Sequence, residues 1–334
     1  MQFSKLMALA GAALTALAFS TAAQAQAAKT FELRFNHVHS PREVFPHKGL
    51  TAWAKAVDAR TKGAVKITVF HSAQLGVEED IIEQIRQGAN VGQNTDAARL
   101  GNYVPEIAVL NGPYFAESPA DVAKLRNAPT IKKAVEDLAS KAGIRVVSFN
   151  WLQGYRHFFT NKPIKSPADL AGLRIRTPPA PIWQESVRAL GATPVALPFG
   201  EQYPALQQKA IDGVELVYNN IPAGRFYEVL KYVSPTRHIL LMNFEVISEK
   251  WFRTLPEEYQ KILLEEADKA GEAASKENLE TSLKVVEDLK AKGMIIVPES
   301  EIDIAAFRKA GDKAYEVLKI SATKDAVLKE IGRK

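Results

Sequence analysis

The chain has 334 residues, 46% of them hydrophobic and 24% charged, enough to build a sizeable core in one large or two ordinary globular domains. Its formal net charge of +5 is dispersed among 38 acidic residues rather than gathered in a basic tract, which leaves nucleic-acid binding without an electrostatic footprint. There is no Cys, so disulfides, thiol catalysis, thiolate metal sites and a lipidated amino-terminal cysteine are excluded.

The first segment reads as an export signal rather than as part of the fold. It carries Lys5, an apolar stretch from Leu6 to about Phe19, and the small-residue sites Ala23-Gln24-Ala25 and Ala25-Gln26-Ala27. Cleavage is expected after residue 25, with 27 as the alternative. The run is short for a spanning helix, and no later segment reaches spanning length, so the mature chain is not expected to be membrane-embedded.

From there strand-like runs alternate with helical ones, the pattern of an α/β fold with largely parallel pairing. Strand 31–38 is followed by a helix with Leu50, Trp53, Ala54 and Val57 at helical spacing, ending near Gly63, and then by strand 64–70. A Leu75-Gly76 turn leads to an amphipathic helix with Ile81, Ile82 and Ile85, stopped by Gly88. Residues 119–142 read as helix and 144–150 as strand. Ser166-Pro167-Ala168-Asp169 is a helix start of the capping-box type, delivering the chain into the strand "LRIRT". A helix from about Ile182 to Leu190, strand "TPVAL", a helix from about Tyr203 and strand "GVELVY" complete this block. After "ILLMNFEVIS", residues 256–292 are almost continuously helix-favouring, long enough to cross between two domains.

Arg176 is the position that asks for an explanation. It stands at the end of an apolar-alternating strand halted by Thr177-Pro178-Pro179, where a guanidinium needs an anionic partner or a solvated cleft. The residues alone leave two readings open, an internal salt bridge and a ligand clamp. Familiar catalytic signatures are absent: there is no G-x-G pair, phosphate loop, G-x-S-x-G elbow or H-E-x-x-H motif. His37, His39 and His47 cluster after the first strand and offer a metal reading, against which no carboxylate or further His stands at a recognisable ligand spacing.

Several separated stretches resemble the periplasmic solute-binding subunits of tripartite ATP-independent (TRAP) transporters of the DctP type. They are "TKGAVKITVFHSAQLG" at 61–76, "GYRHFFTNKPIKSPADLAGLRIRTP" at 154–178, "LGATPVALPFGEQYPALQQKAIDGVE" at 190–215 and "ISEKWFRTLPEEYQKI" at 247–262. The resemblance implies a two-domain α/β periplasmic binding protein fold with a hinge, a long helix spanning both domains and a ligand cleft between them. It divides the chain into 29–153 plus 242–281 and 154–241 plus 282–334. It also implies a monomer in the periplasm, without cofactor or catalytic turnover. That monomer would capture a small carboxylate and deliver it to the small and large membrane subunits of a secondary transporter.

The resemblance assigns Arg176 to the ligand carboxylate, where a planar fork matches the anion better than a lysine would. It places Arg156 near the ligand, Phe199 against it, and Asp96 at an acidic position found in members that accept polyhydroxylated acids. Trp183, Trp151, Tyr155 and His39 are further candidates to line the cleft, whereas Glu78 is read as a helix opener favoured by the amino-terminal dipole. One departure stands out. Members that bind sialic acid or similar acids carry Asn in a D-G-x-E-N stretch, and this chain has Leu216 there, with Tyr218, Asn219 and Asn220 following as substitutes. The departure moves the expected ligand away from a heavily hydroxylated sugar acid and towards an apolar or aromatic carboxylate. The rival from another class is a secreted hydrolase or lyase in which the two arginines orient an acidic substrate and His39 or an acid moves the proton.

Overall fold

A computed structural model of the chain describes residues 30–41 and 45–333, and the expected export signal lies outside the described residues. Among the described residues nine strands form one sheet: β1 Phe31–Asn36, β2 Val65–Phe70, β3 Val91–Asp96, β4 Ile144–Thr160, β5 Arg174–Thr177, β6 Thr193–Ala196, β7 Gly213–Val217, β8 Tyr232–Ser248 and β9 Ile295–Ile296. The order is β2-β1-β3-β8-β4-β7-β5-β6, with β9 beside β8. Each outer part is a parallel unit, β2-β1-β3 at one end and β7-β5-β6 at the other. Between them run β4 and β8, antiparallel to each other and 17 residues long, so that both strands pass through two α/β lobes.

The β4–β8 ladder is regular only near its ends, with register shifts between Val146 and Ser148, Ser148 and Trp151, Leu152 and Gly154, and Arg156 and Phe158. Backbone groups released by those shifts are recovered from the helix Glu257–Ala291, whose 35 residues reach about 50 Å at the usual rise. The Leu152 N–H donates to Ser275 Oγ at 2.7 Å, and Asn278 Nδ2 donates to the carbonyls of Leu152 and Gln153 at 3.1 and 2.8 Å. This explains a helix that changes character along its length. Leu263 and Ala267 sit in the apolar core with Trp53 and Trp151, the middle is small and polar, and Leu289 joins the separate core around Phe159 and Met294. Gly271 is required in that middle, because a Cβ there would come within 2.6 Å of the Trp151 indole nitrogen.

Three expectations are corrected. The helix expected over 119–142 is two, Pro119–Leu125 and Pro129–Ala142, because Pro129 lacks an N–H and holds Ala128 extended. The strand expected to end at 150 continues to Thr160. β3, "VGQNTD", was not anticipated at all: it has no apolar alternation, yet all six residues are buried. The last helix, Ser321–Glu330, docks on the first lobe, where Val327 and Leu328 share a core with Phe115 and Leu138 and Thr130 Oγ1 donates to Glu330 at 2.7 Å.

Candidate functional site

Between the lobes lies a narrow cleft. One wall comes from the carboxyl ends of β5 and β7 and from β4. Arg176, the penultimate residue of β5, is 1% exposed, and its Nε and Nη2 both donate to the Leu197 carbonyl, at 2.8 and 2.6 Å. Among the described residues no carboxylate stands within ion-pair distance of it. Burial, then the neighbouring Arg156 cation, pulls its guanidinium down to about 9, so the position is electrostatically short of an anion.

Arg156 also lines the cleft, but its charge is matched. Its Nε donates to Glu215 Oε2 and its Nη2 to the Glu215 carbonyl, while the guanidinium lies 4.3 Å over the Trp183 ring. Glu215 accepts a further bond from Thr177 Oγ1 at 2.7 Å and lies 3.5 Å from His238 Nε2. Burial would raise the Glu215 carboxyl, yet Arg156 and His238 outweigh it and hold the group at about 2. Arg156 therefore both pairs with an internal acid and faces the cleft.

The opposite wall comes from β3, the middle of β8 and the start of the helix Glu78–Arg86. Asp96 caps the turn after β3, accepting the Arg99 N–H at 2.9 Å and the Trp183 Nε1–H at 3.1 Å on one oxygen, and Arg99 Nη1 on the other. Arg99 lies 2.7 Å from Glu79 and 3.3 Å from Glu78 as well, three carboxylates around one buried guanidinium. Glu78 opens its helix as expected, but it also lines the cleft. Burial, with Asp96 and Glu79 adding to it against Arg99, pushes its carboxyl up to about 7.

Arg176, Arg156, Asp96, Phe199 and His39 thus come together around one space, with the Phe199 ring 5.1 Å from that of His39. Trp183 stands one layer behind, beneath Arg156 and bonded to Asp96. The remaining candidates do not reach the cleft. Trp151 is a core residue whose Nε1 donates to Ser148 Oγ at 3.2 Å, Tyr218 packs 4.3 Å from the His157 ring, and Asn219 donates to Asn278 on the long helix. Asn220, next in sequence, takes the lining position instead. Arg99, Asn94, Gln153 and Asn243 also line the cleft and were missed by sequence reasoning. The acidic neighbours of Arg99 were visible as Glu78, Glu79 and Asp96, but only the fold brings them to it.

Two expectations about chemistry change with this geometry. Leu216 does line the cleft, but as one apolar contact among amides, acids and arginines, and Phe199 is the only Phe, Tyr or Trp among the described lining residues. This lining does not support an aromatic acid. His37 Nε2 lies 3.0 Å from His47 Nδ1, the His39 ring nitrogens face the side-chain amides of Gln153 and Asn220 at 3.5 and 3.4 Å, and no group of three or more His, Asp or Glu among the described residues is arranged to hold a metal ion.

Comparison with known proteins agrees with the fold. Residues 35–321 match the family model DctP, bacterial extracellular solute-binding protein family 7. A TRAP periplasmic solute-binding protein of Ochrobacterium anthropi, with bound L-fuconate, is 31% identical with a TM-score of 0.85 over 91% of this chain and 100% of that one. A TRAP solute-binding protein of Desulfovibrio salexigens, in complex with diglycerolphosphate, is also 31% identical at a TM-score of 0.85, covering 90% of this chain and 96% of its own. The 2,3-diketo-L-gulonate-binding periplasmic protein of Escherichia coli is 28% identical over 88% of this chain and 87% of its own length. The helices among the described residues include none long and apolar enough to cross a membrane.

Proposed function

This chain belongs to bacterial extracellular solute-binding protein family 7, and we propose that it captures a small hydroxylated carboxylate in the periplasm and passes it, unreacted, to the membrane subunits of a TRAP transporter. Arg176 carries the reading. A fully buried guanidinium held on one side by a carbonyl, with no described carboxylate as partner, is stable only as half of an ion pair that the ligand completes. Asp96 and Glu215 are occupied by internal cations, which leaves them as fixed supports rather than proton carriers and favours capture over turnover.

The lobes we assign are 29–153 plus 242–281 and 154–241 plus 282 onwards, except that the docking of Ser321–Glu330 returns the carboxyl-terminal helix to the first. The irregular centre of β4 and β8 is the proposed hinge. Closure there brings Phe199 and Arg176 towards the Asp96 wall, and the closed form is the one the membrane subunits receive as a monomer. Export, with the signal removed after residue 25 or 27, is part of the same proposal.

A thermal-shift screen of small carboxylates, each beside its amide, tests it. An acid present at about 100 to 1,000 times its dissociation constant adds about 3–4 kcal/mol of stability and raises Tm by several degrees. The amide gives no shift. An amide as stabilising as its acid contradicts an anion at Arg176.

A further inference from the structure

The wall facing Arg176 carries an arrangement that the carboxylate reading leaves unused. β3 and β8 are antiparallel, with Asn94 opposite Glu245 and Asp96 opposite Asn243. Side chains two apart on a strand share a face, so these four residues occupy one face of the ladder, and Asn94, Asp96 and Asn243 line the cleft. Asp96 is saturated by Arg99 and Trp183. The two asparagines are each held by one end only.

Asn243 Nδ2 donates to the Thr95 carbonyl at 3.1 Å. A carbonyl can only accept, so the amide cannot turn around, and its Oδ1 is left pointing away. Asn243 is 6% exposed, and this Oδ1 is buried without a hydrogen-bond donor. Asn94 repeats the arrangement one pair along the ladder. Its Nδ2 donates to Glu245 Oε1 at 2.6 Å, and the residue, 2% exposed, lines the cleft beside Asn243. Glu245 itself does not reach the cleft; its Oε2 is buried and unpartnered behind Asn94. Burial drives the Glu245 carboxyl well above the usual range against the single opposing bond from Asn94. A neutral acid with its proton on Oε2 supplies its carbonyl Oε1 as acceptor to Asn94 without adding an uncompensated anion to the binding wall.

We infer that Asn94 and Asn243 are specificity-determining residues, two anchored carbonyl acceptors that select hydroxyl donors on the end of the ligand remote from its carboxylate, with Glu245 as the positioning residue that fixes Asn94. The inference rests on the carboxylate reading above. A buried acceptor left unmatched is costly, so a ligand without hydroxyls is rejected rather than merely bound with fewer contacts.

The test is calorimetric titration of the purified protein with D-erythronate and L-galactonate against butyrate and hexanoate, which match them in carbon number and lack hydroxyls. The native protein prefers the hydroxylated acid by at least about 100-fold. Asn243→Leu and Asn94→Leu each reduce that ratio by roughly tenfold or more, while the dissociation constant of the plain acid changes by less than about threefold, which also reports an intact fold. Glu245→Leu lowers the ratio in the same way, and Glu245→Gln, which keeps an acceptor for Asn94, restores it. A ratio unchanged in both asparagine variants overturns the proposal, as does a Glu245→Gln protein no better than Glu245→Leu. Plain and hydroxylated acids binding equally well to the native protein overturns it while leaving the carboxylate reading intact. If neither kind of acid binds, the carboxylate reading falls and this one with it.

Discussion

Arg99 and Arg176 face one another across the cleft, 4% and 1% exposed, and the chain treats their charges in opposite ways. Around Arg99 stand Asp96, Glu79 and Glu78, and these acids raise its guanidinium above the ordinary value despite burial. Around Arg176 there is a carbonyl oxygen and a second arginine, and its guanidinium is pulled down. Burial alone therefore says nothing about function; what matters is whether the buried charge is completed internally. The Arg99 side is a finished structural unit, and the Arg176 side is finished only by what enters.

The largest effect expected from this contrast is on stability. Arg99→Leu leaves three acids around an apolar side chain and lowers unfolding stability by about 3–5 kcal/mol, measured by denaturant titration. Arg176→Met does not lower the stability of the ligand-free protein, but it weakens carboxylate binding by about 2–5 kcal/mol in calorimetry. Equal destabilisation by the two substitutions would erase the distinction between the regions.

The hinge sharpens the comparison from another direction. Asn278→Ala removes two bonds to the β4 backbone, at Leu152 and Gln153, and one to Asn219, and lowers stability by about 2 kcal/mol. Hydrogen exchange should show the loss concentrated at residues 150–154 rather than spread over either lobe.

An effect of similar size is a pH dependence. Glu78 in the fold holds its proton up to about 7, whereas the unfolded carboxyl releases it near 4.5. Between those values the native state binds more protons than the unfolded state, so this group costs stability as pH rises through the window. Glu78→Gln removes that slope, and its stability relative to the native protein improves by about 2 kcal/mol from pH 5 to pH 7. Glu215, held at about 2, has the opposite sign: its contribution is present above pH 4.5 and is lost as pH falls towards 2. A Glu78→Gln protein whose stability parallels the native protein across pH 5–7 would remove Glu78 from the account.

Much of this was legible in the sequence, and the illegible part has a physical reason. Alternating runs announced the α/β fold, and residues 256–292 announced the long helix, found at Glu257–Ala291. Arg176 was conspicuous because a charge at the end of an apolar strand is costly anywhere but at a site. β3 was not legible, since a strand whose inward face binds polar ligands or polar neighbours lacks the apolar alternation by which strands are recognised. Asn94, Arg99 and Asn243 were missed for the same reason: their meaning lies in pairings between residues far apart in the chain. The aromatic candidates failed differently. Trp151 and Tyr218 sit near functional residues in sequence, but a large ring gives no sign of which side of its strand it packs. Trp151 is enclosed by the close approach of Gly49 and Gly271, which only the fold shows.

The measurement that addresses the Arg176 clamp most directly is a crystal structure of the protein with the acid that the screen selects. The expected result is closed lobes with the ligand carboxylate in a two-bond pair with Arg176 and the ligand's other end against Asn94 and Asn243. A carboxylate paired elsewhere, with Arg176 still bonded only to the Leu197 carbonyl, would contradict it.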